Sequence, residues 1–207
     1  MIKWILFGCY MLYVLCYMRL NAQELRTVDE GEVQTRIASL SRHPIFFIVE
    51  NVYDTYNVGG LFRLADAIGA SKIYLCGQTE IPPNSKIKKA SVGTYKVMPW
   101  EYKRSSAEAI HELRNLKLQN TNSKQSPNPK IQIIAVEQNN KSVPYTKISY
   151  SFPVALIFGN ETSGVTKQTL ALADHIAEIP MWGINRSLNV IVSATIVAYH
   201  VMGKMEP

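Results

Sequence analysis

The sequence predicts an α/β fold: a mostly parallel sheet with helices on both faces. Two patterns and one bound carry this. Strand-length apolar runs alternate with helical patterns along the chain. The runs are continuously apolar, as strands covered on both faces are. At 207 residues with 47% apolar, the chain holds one domain with a full core.

The elements follow in order. Residues 20–42 are polar and helix-compatible. "PIFFIVE" (44–50) is the first strand, a short apolar run behind a proline. "NVYDTYNVGG" (51–60) reads as a loop, and "LFRLADAIGA" (61–70) as a short helix stopped at Gly69. "KIYLC" (72–76) is a strand, and "GQTEIPPNSK" (77–86) a proline-broken loop. "SVGTYKVMPW" (91–100) holds a short strand. "SSAEAIHELRNLKLQ" (105–119) is an amphipathic helix capped by Ser105 or Ser106, followed by a polar loop at 120–130. "IQIIAVE" (131–137), "PVALIF" (153–158) and "HIAEIP" (175–180) are strands. "VTKQTLALA" (165–173) is a helix, and a last helix runs from about Ser187 to Met202, apolar nearly all round and therefore buried.

Composition excludes several classes. Charged residues at 18% are ordinary for a globular chain and far from disorder. The net charge of +6 suits a polyanionic partner without demanding one. Three cysteines without CxxC spacing and four scattered histidines give no disulfide framework and no metal site. The N-terminal run Trp4–Met18 resembles a signal peptide or short anchor, yet its 15 residues fall short of the roughly 20 a bilayer span needs. A packed helix or an upstream start codon accounts for it as well, and a membrane tether is the lesser possibility.

Three polar loops follow apolar strands and so gather on one sheet edge, where such folds bind ligands. The first carries Asn57-x-Gly59-x-x-x-Arg63; Asn57 can cap the helix, and the Arg63 fork matches a phosphate or carboxylate. The second, "GNETSG" (159–164), has P-loop spacing, but Val165 stands where a P-loop needs Lys, and Glu161 repels phosphate. The third, "MWGINRSLN" (181–189), offers Ser187 as an N-cap and Asn189 in the first turn. Read singly, each loop is capping and turn chemistry as readily as a site.

Together and in order, these motifs resemble the SpoU-TrmH branch of the SPOUT RNA methyltransferases. Asn57-x-Gly-x-x-x-Arg63, Gly159-Asn-Glu-x-x-Gly164 and Ile179-Pro-Met…Ser187-Leu-Asn-Val190 match its three motifs, and "RLADAIGASKIYLCG" and "PP…KKASVG…VMPWEY" add to the likeness over roughly residues 44–203. Ile191 and Ser193 depart from it, in place of Ser and Ala.

The resemblance implies an α/β domain at 43–207 with a C-terminal trefoil knot, behind an N-terminal apolar segment and helical extension at 1–42. It implies a cytoplasmic homodimer that uses S-adenosylmethionine to methylate a ribose 2′-hydroxyl of tRNA or rRNA, with no metal. Gly159, Asn160, Ile179, Met181 and Leu188 would hold the cofactor. Arg63, Asn57, Glu161, Ser187 and Asn189 would form the catalytic set, with Arg63 clamping a phosphate and steering the hydroxyl proton. A non-catalytic RNA-binding protein on the same fold is the alternative, disfavoured because all five polar residues are intact. Lys72, Lys86, Lys88, Lys89, Lys96, Lys103 and Arg104 would offer phosphates a basic surface, and each lysine reads as readily as part of a solvated charged loop. Arg186 has no assigned role.

Overall fold

A computed structural model describes residues 20–29, 32, 33, 37, 40–116 and 130–205. The apolar run at 4–18, the residues 117–119 expected to end a helix, and all but the last residue of the 120–130 loop lie outside the described residues.

Seven strands form one sheet: β1 (His43–Glu50), β2 (Ala70–Cys76), β3 (Trp100–Lys103), β4 (Gln132–Val136), β5 (Val143–Pro144), β6 (Val154–Phe158) and β7 (His175–Glu178). Their order is β3-β2-β1-β6-β4-β7-β5, and every neighbouring pair is parallel. Among the described residues six α-helices accompany them: α1 (Ala22–Thr27), α2 (Thr55–Ala67), α3 (Ser85–Ser91), α4 (Ser106–Asn115), α5 (Lys167–Leu170) and α6 (Val190–Met202).

The continuous apolar runs divide by strand alternation. Ile45, Phe47 and Val49 join Leu156 and Phe158 beneath α2 and α6. Phe46 and Ile48 join Ala155, Ile157 and Tyr74 beneath α4. Phe47 and Phe158 meet edge to face with ring centroids 5.1 Å apart. Both faces of the central strands are thus covered, as their composition requires.

Several boundaries differ from the sequence reading. Asp54, not Asn57, caps α2, its side chain accepting from the Tyr56 N–H, so the helix starts within the expected loop. Asn57 lies inside the first turn and Arg63 more than two turns in. Residues 85 and 86 were expected to end a loop, yet 85–91 form α3 behind an Asn84 cap, and β3 begins only at Trp100. The two-residue β5 was not anticipated, and α5 is shorter than its pattern suggested. Asn189, not Ser187, caps α6. That helix is buried on one face only: Val192 and Tyr199 are 46% and 53% exposed. Among the described residues, no helix is long and apolar enough to cross a membrane.

Because all strands run the same way, the segments after β1, β4, β6 and β7 emerge at one edge. The chain winds outward from β1 through β2 to β3, then builds the other half of the sheet. The direction changes between β1 and β6, where parallel sheets open a crevice.

Candidate functional site

The loop after β6 closes on itself. A Cβ at Gly159 would lie 2.4 Å from Gly164 C and Val165 N, so only glycine lets the two ends meet. Gly164 has φ of +67° and donates its N–H to the Asn160 carbonyl at 2.8 Å. Asn160, 7% exposed, stitches the loop internally: its Oδ1 accepts from the N–H groups of Thr162 and Ser163 at 2.8 and 2.9 Å. Its Nδ2 donates to the Asn51 carbonyl at 2.9 Å, tying this loop to the one after β1.

Three predicted residues form a polar line. Asn189 Oδ1 is occupied by the Ile191 N–H at 2.8 Å, because Asn189 caps α6. Its Nδ2 therefore faces outward and donates to Asn57 Oδ1 at 3.0 Å. That contact turns the Asn57 amide so that its Nδ2 donates to Glu161 Oε1. A helix cap thus sets the direction of the whole line, and the line requires an acceptor at its end, which a carboxylate supplies. Asn57 is 6% exposed, so a broken line would leave a buried amide unsatisfied.

A cleft of about 270 Å³ opens beside this line. Gly159, Asn160, Ile179, Met181 and Leu188 line it, as do Glu161 and Ser187. Asn57, Asn189 and Arg63 do not. Ser187 is exposed, and its N–H donates to Asn185 Oδ1 at 3.1 Å, an Asx turn that shapes the approach to α6. Arg63 is exposed on the α2 stripe of Tyr56, Gly60 and Arg63, and makes no hydrogen bond or ion pair among the described residues. Its guanidinium stands at the surface.

The cleft residues that sequence reasoning missed include Glu137 and Gln138 after β4, and Glu178 at the end of β7. Their only signal was a polar residue at the carboxyl end of an apolar strand. With Glu161 they put three carboxylates around the cleft, against one guanidinium, Arg186. This lining suits a ligand carrying positive charge and disfavours a phosphate. Glycine at both ends of the 159–164 loop and apolar walls from Val136, Ile179 and Leu188 leave room for a flat heterocycle. Cys76 is no nucleophile: burial pushes its thiol up to about 12. No His, Cys, Asp or Glu cluster among the described residues has metal-holding geometry.

The basic surface is smaller than expected. Lys72 and Lys103 are taken up by Glu101 and Glu112, Lys72 at 2.5 Å from Glu101. Lys96 donates to the Arg26 carbonyl. Lys86, Lys88 and Lys89 remain exposed on α3.

Comparison with known proteins gives the family. The profile of the SpoU rRNA Methylase family matches residues 44–199. The chain is 27% identical over 154 residues to the tRNA (guanosine(18)-2'-O)-methyltransferase of Escherichia coli (strain K12), covering 73% of this chain and 59% of that one. It is 29% identical over 196 residues to the 23S rRNA (guanosine(2553)-2'-O)-methyltransferase RlmP of Bacillus subtilis (strain 168), covering 91% and 73%. The crystal structure of an AdoMet-bound rRNA methyltransferase from Sinorhizobium meliloti superposes with a TM-score of 0.68 at 25% identity, over 86% of this chain and 71% of that one.

Proposed function

Because the chain belongs to the SpoU rRNA Methylase family, we propose that it methylates a ribose 2′-hydroxyl of tRNA or rRNA, using S-adenosylmethionine. The observation that carries this reading is the Asn189–Asn57–Glu161 line set against an acidic, glycine-walled cleft. The relatives' names and the AdoMet-bound neighbour support the same chemistry.

S-adenosylmethionine, when bound, supplies a methyl group on a positively charged sulfonium. The backbone at Gly159, Ile179, Met181 and Leu188 would hold its adenosine part, with Asn160 keeping the loop in shape. Three carboxylates favour its positive charge. Residues at the rim of the cleft and beyond it then act on the RNA. Arg63, exposed and unengaged, clamps the phosphate beside the target ribose and steadies the oxygen as its proton leaves. A guanidinium stays charged near neutral pH, so its part is electrostatic and not that of a base. Asn57, Glu161, Ser187 and Asn189 fix where the ribose sits, and most of the acceleration comes from this alignment.

The proposal extends to assembly. The open face of α6, with Val192 and Tyr199, adjoins the α2 stripe that carries Arg63; a Cβ on Gly60 would touch Ile191 at 2.3 Å. A homodimer through this face would cover the apolar surface and set Arg63 at the boundary between protomers. Residues 43–207 would form the catalytic domain, knotted around the cleft, with 1–42 as an extension, working in the cytoplasm. Purified protein given methyl-labelled S-adenosylmethionine and tRNA or rRNA should move label into the RNA. Label that stays wholly with the small molecule contradicts the proposal.

A further inference from the structure

Two carboxylates flank the cleft loop, and neither belongs to a family-like motif in the sequence. β6 lies between β1 and β4, and Phe158 is the register partner of both Val49 and Val136. The next residues, Glu50 and Glu137, therefore stand on either side of Gly159. Strand alternation sends both side chains to the face that carries α4 and α5. There they take two consecutive amides of the chain leaving the loop. Val165 N–H donates to Glu137 Oε2 at 2.7 Å, and Thr166 N–H to Glu50 Oε2 at 2.9 Å. Glu137 Oε1 also accepts the Gln138 N–H at 2.8 Å, and Glu50 Oε1 accepts the Thr169 hydroxyl at 2.5 Å.

The contacts are close. A Cβ on Gly164 would sit 2.1 Å from Glu137 Oε2, so the glycine and the carboxylate are fitted to each other. Both Glu137 oxygens are engaged by backbone amides. The two carboxylates differ in one respect: Glu137 lines the cleft and Glu50 does not. Glu50 is 4% exposed and anchors α5 from behind.

We propose that Glu137 is a positioning residue for methyl transfer: paired with Glu50, it clamps the exit of the 159–164 loop, and so sets the shape of the cofactor cleft. The inference rests on the function proposed above. Releasing Val165 lets the loop exit move, which shifts the Gly159 backbone and carries Glu161 away from Asn57. The cleft then loses affinity for anything shaped to it, whatever its charge. Loss of the clamp therefore acts chiefly on cofactor binding and less on turnover.

The test compares wild type, Glu137→Gln, Glu137→Asp and Glu50→Gln by calorimetric titration with S-adenosylmethionine and with its demethylated product, S-adenosylhomocysteine, followed by steady-state kinetics. Glutamine keeps the size but offers one acceptor atom in place of two; aspartate keeps the charge but is too short to reach both amides. Both Glu137 variants should weaken both ligands by about tenfold, and raise the cofactor KM far more than they lower kcat. Glu50→Gln should lower the melting temperature with a smaller loss of affinity. Wild-type affinity in both Glu137 variants overturns the proposal. So does weakening of S-adenosylmethionine alone, which would make Glu137 a charge effect, or a fall in kcat with KM unchanged. Amide exchange of Val165 in the free wild type reads the clamp without variant or ligand: protection like that of β6 supports it, and exchange at the free-peptide rate overturns it. A wild type that binds no S-adenosylmethionine contradicts the function instead, and Val165 exchange still decides the clamp.

Discussion

Asn57 is held at both ends of its amide, by Asn189 on one side and Glu161 on the other, so a change of one atom reverses its meaning. Asn57→Asp replaces the donor facing Glu161 with an acceptor and sets two carboxylates against each other. The pair cannot ionise together at low cost, so one carboxyl pKa rises. The variant should melt below wild type at pH 7, and the gap should narrow as the pH falls toward the carboxylate range, followed by calorimetry. A gap independent of pH would mean the line does not run through Asn57. Arg63 gives a different signature, because it lies outside the cleft. Arg63→Ala should lower kcat by about a hundredfold with cofactor affinity unchanged, the mark of an interaction made to the reacting ribose. Equal loss of cofactor affinity would place Arg63 in the cleft after all. At this scale Asn57, Glu161 and Asn189 were legible by residue type and order, although which atom donates to which is decided by the Asn189 cap. Glu50 and Glu137 were not legible. Each ends an apolar strand like any surface acid, and the amides they hold lie 116 and 28 residues further along the chain.

The elements whose limits the sequence obscured are those where tertiary contact overrides local preference. Gly59 and Gly60 make residues 51–60 look like a loop, since each glycine costs a helix about 1 kcal/mol against alanine. They sit inside α2 nonetheless, because neighbours come too close for a side chain. A Cβ on Gly59 would meet Ala90 Cβ at 2.5 Å and Ser91 N at 2.8 Å, both on α3. On Gly60 it would meet the Ile191 side chain, closest at its terminal Cδ1, which can turn aside. Gly59→Ala should therefore destabilise by about 1–3 kcal/mol through overpacking, and Gly60→Ala by less. Chemical denaturation of the two variants checks the order; the reverse order would show that α3 yields more easily than Ile191. α3 itself hid behind Pro82 and Pro83, which read as a loop although Asn84 caps a helix immediately after them. The five strands around the core were read with ease, because a sheet covered on both faces leaves no polar positions to confuse the pattern.

On the scale of the whole molecule, one edge of the sheet is tied electrostatically and the other half holds the cleft. Along β2, β3 and α4, Lys72 and Lys103 bridge Glu101 and Glu112. Hydrogen bonds from Lys103 and Lys72 hold the Glu101 carboxyl below its usual range. Burial pushes Glu112 upward, but Lys103 and Tyr74 outweigh it, and it too lies low. A depressed folded-state pKa gives stability that is complete above the unfolded value and lost as pH falls through the folded one. The melting temperature should therefore drop below about pH 4.5, and Glu101→Gln should flatten that limb; an unchanged limb would assign acid lability elsewhere. Assembly has its own check. Val192→Glu, placed on the open face of α6, should convert a dimer to monomers in light scattering, and a dimer that persists would put the interface elsewhere. Fold and family were legible together because three motifs in order carry both; the RNA was not, since no motif describes it. The most direct measurement of the central claim is the position of the methyl group. RNA labelled by the protein should yield, on alkaline hydrolysis, label in alkali-resistant dinucleotides, because a 2′-O-methyl group blocks cleavage. Label recovered on a base in ordinary mononucleotides would contradict ribose methylation.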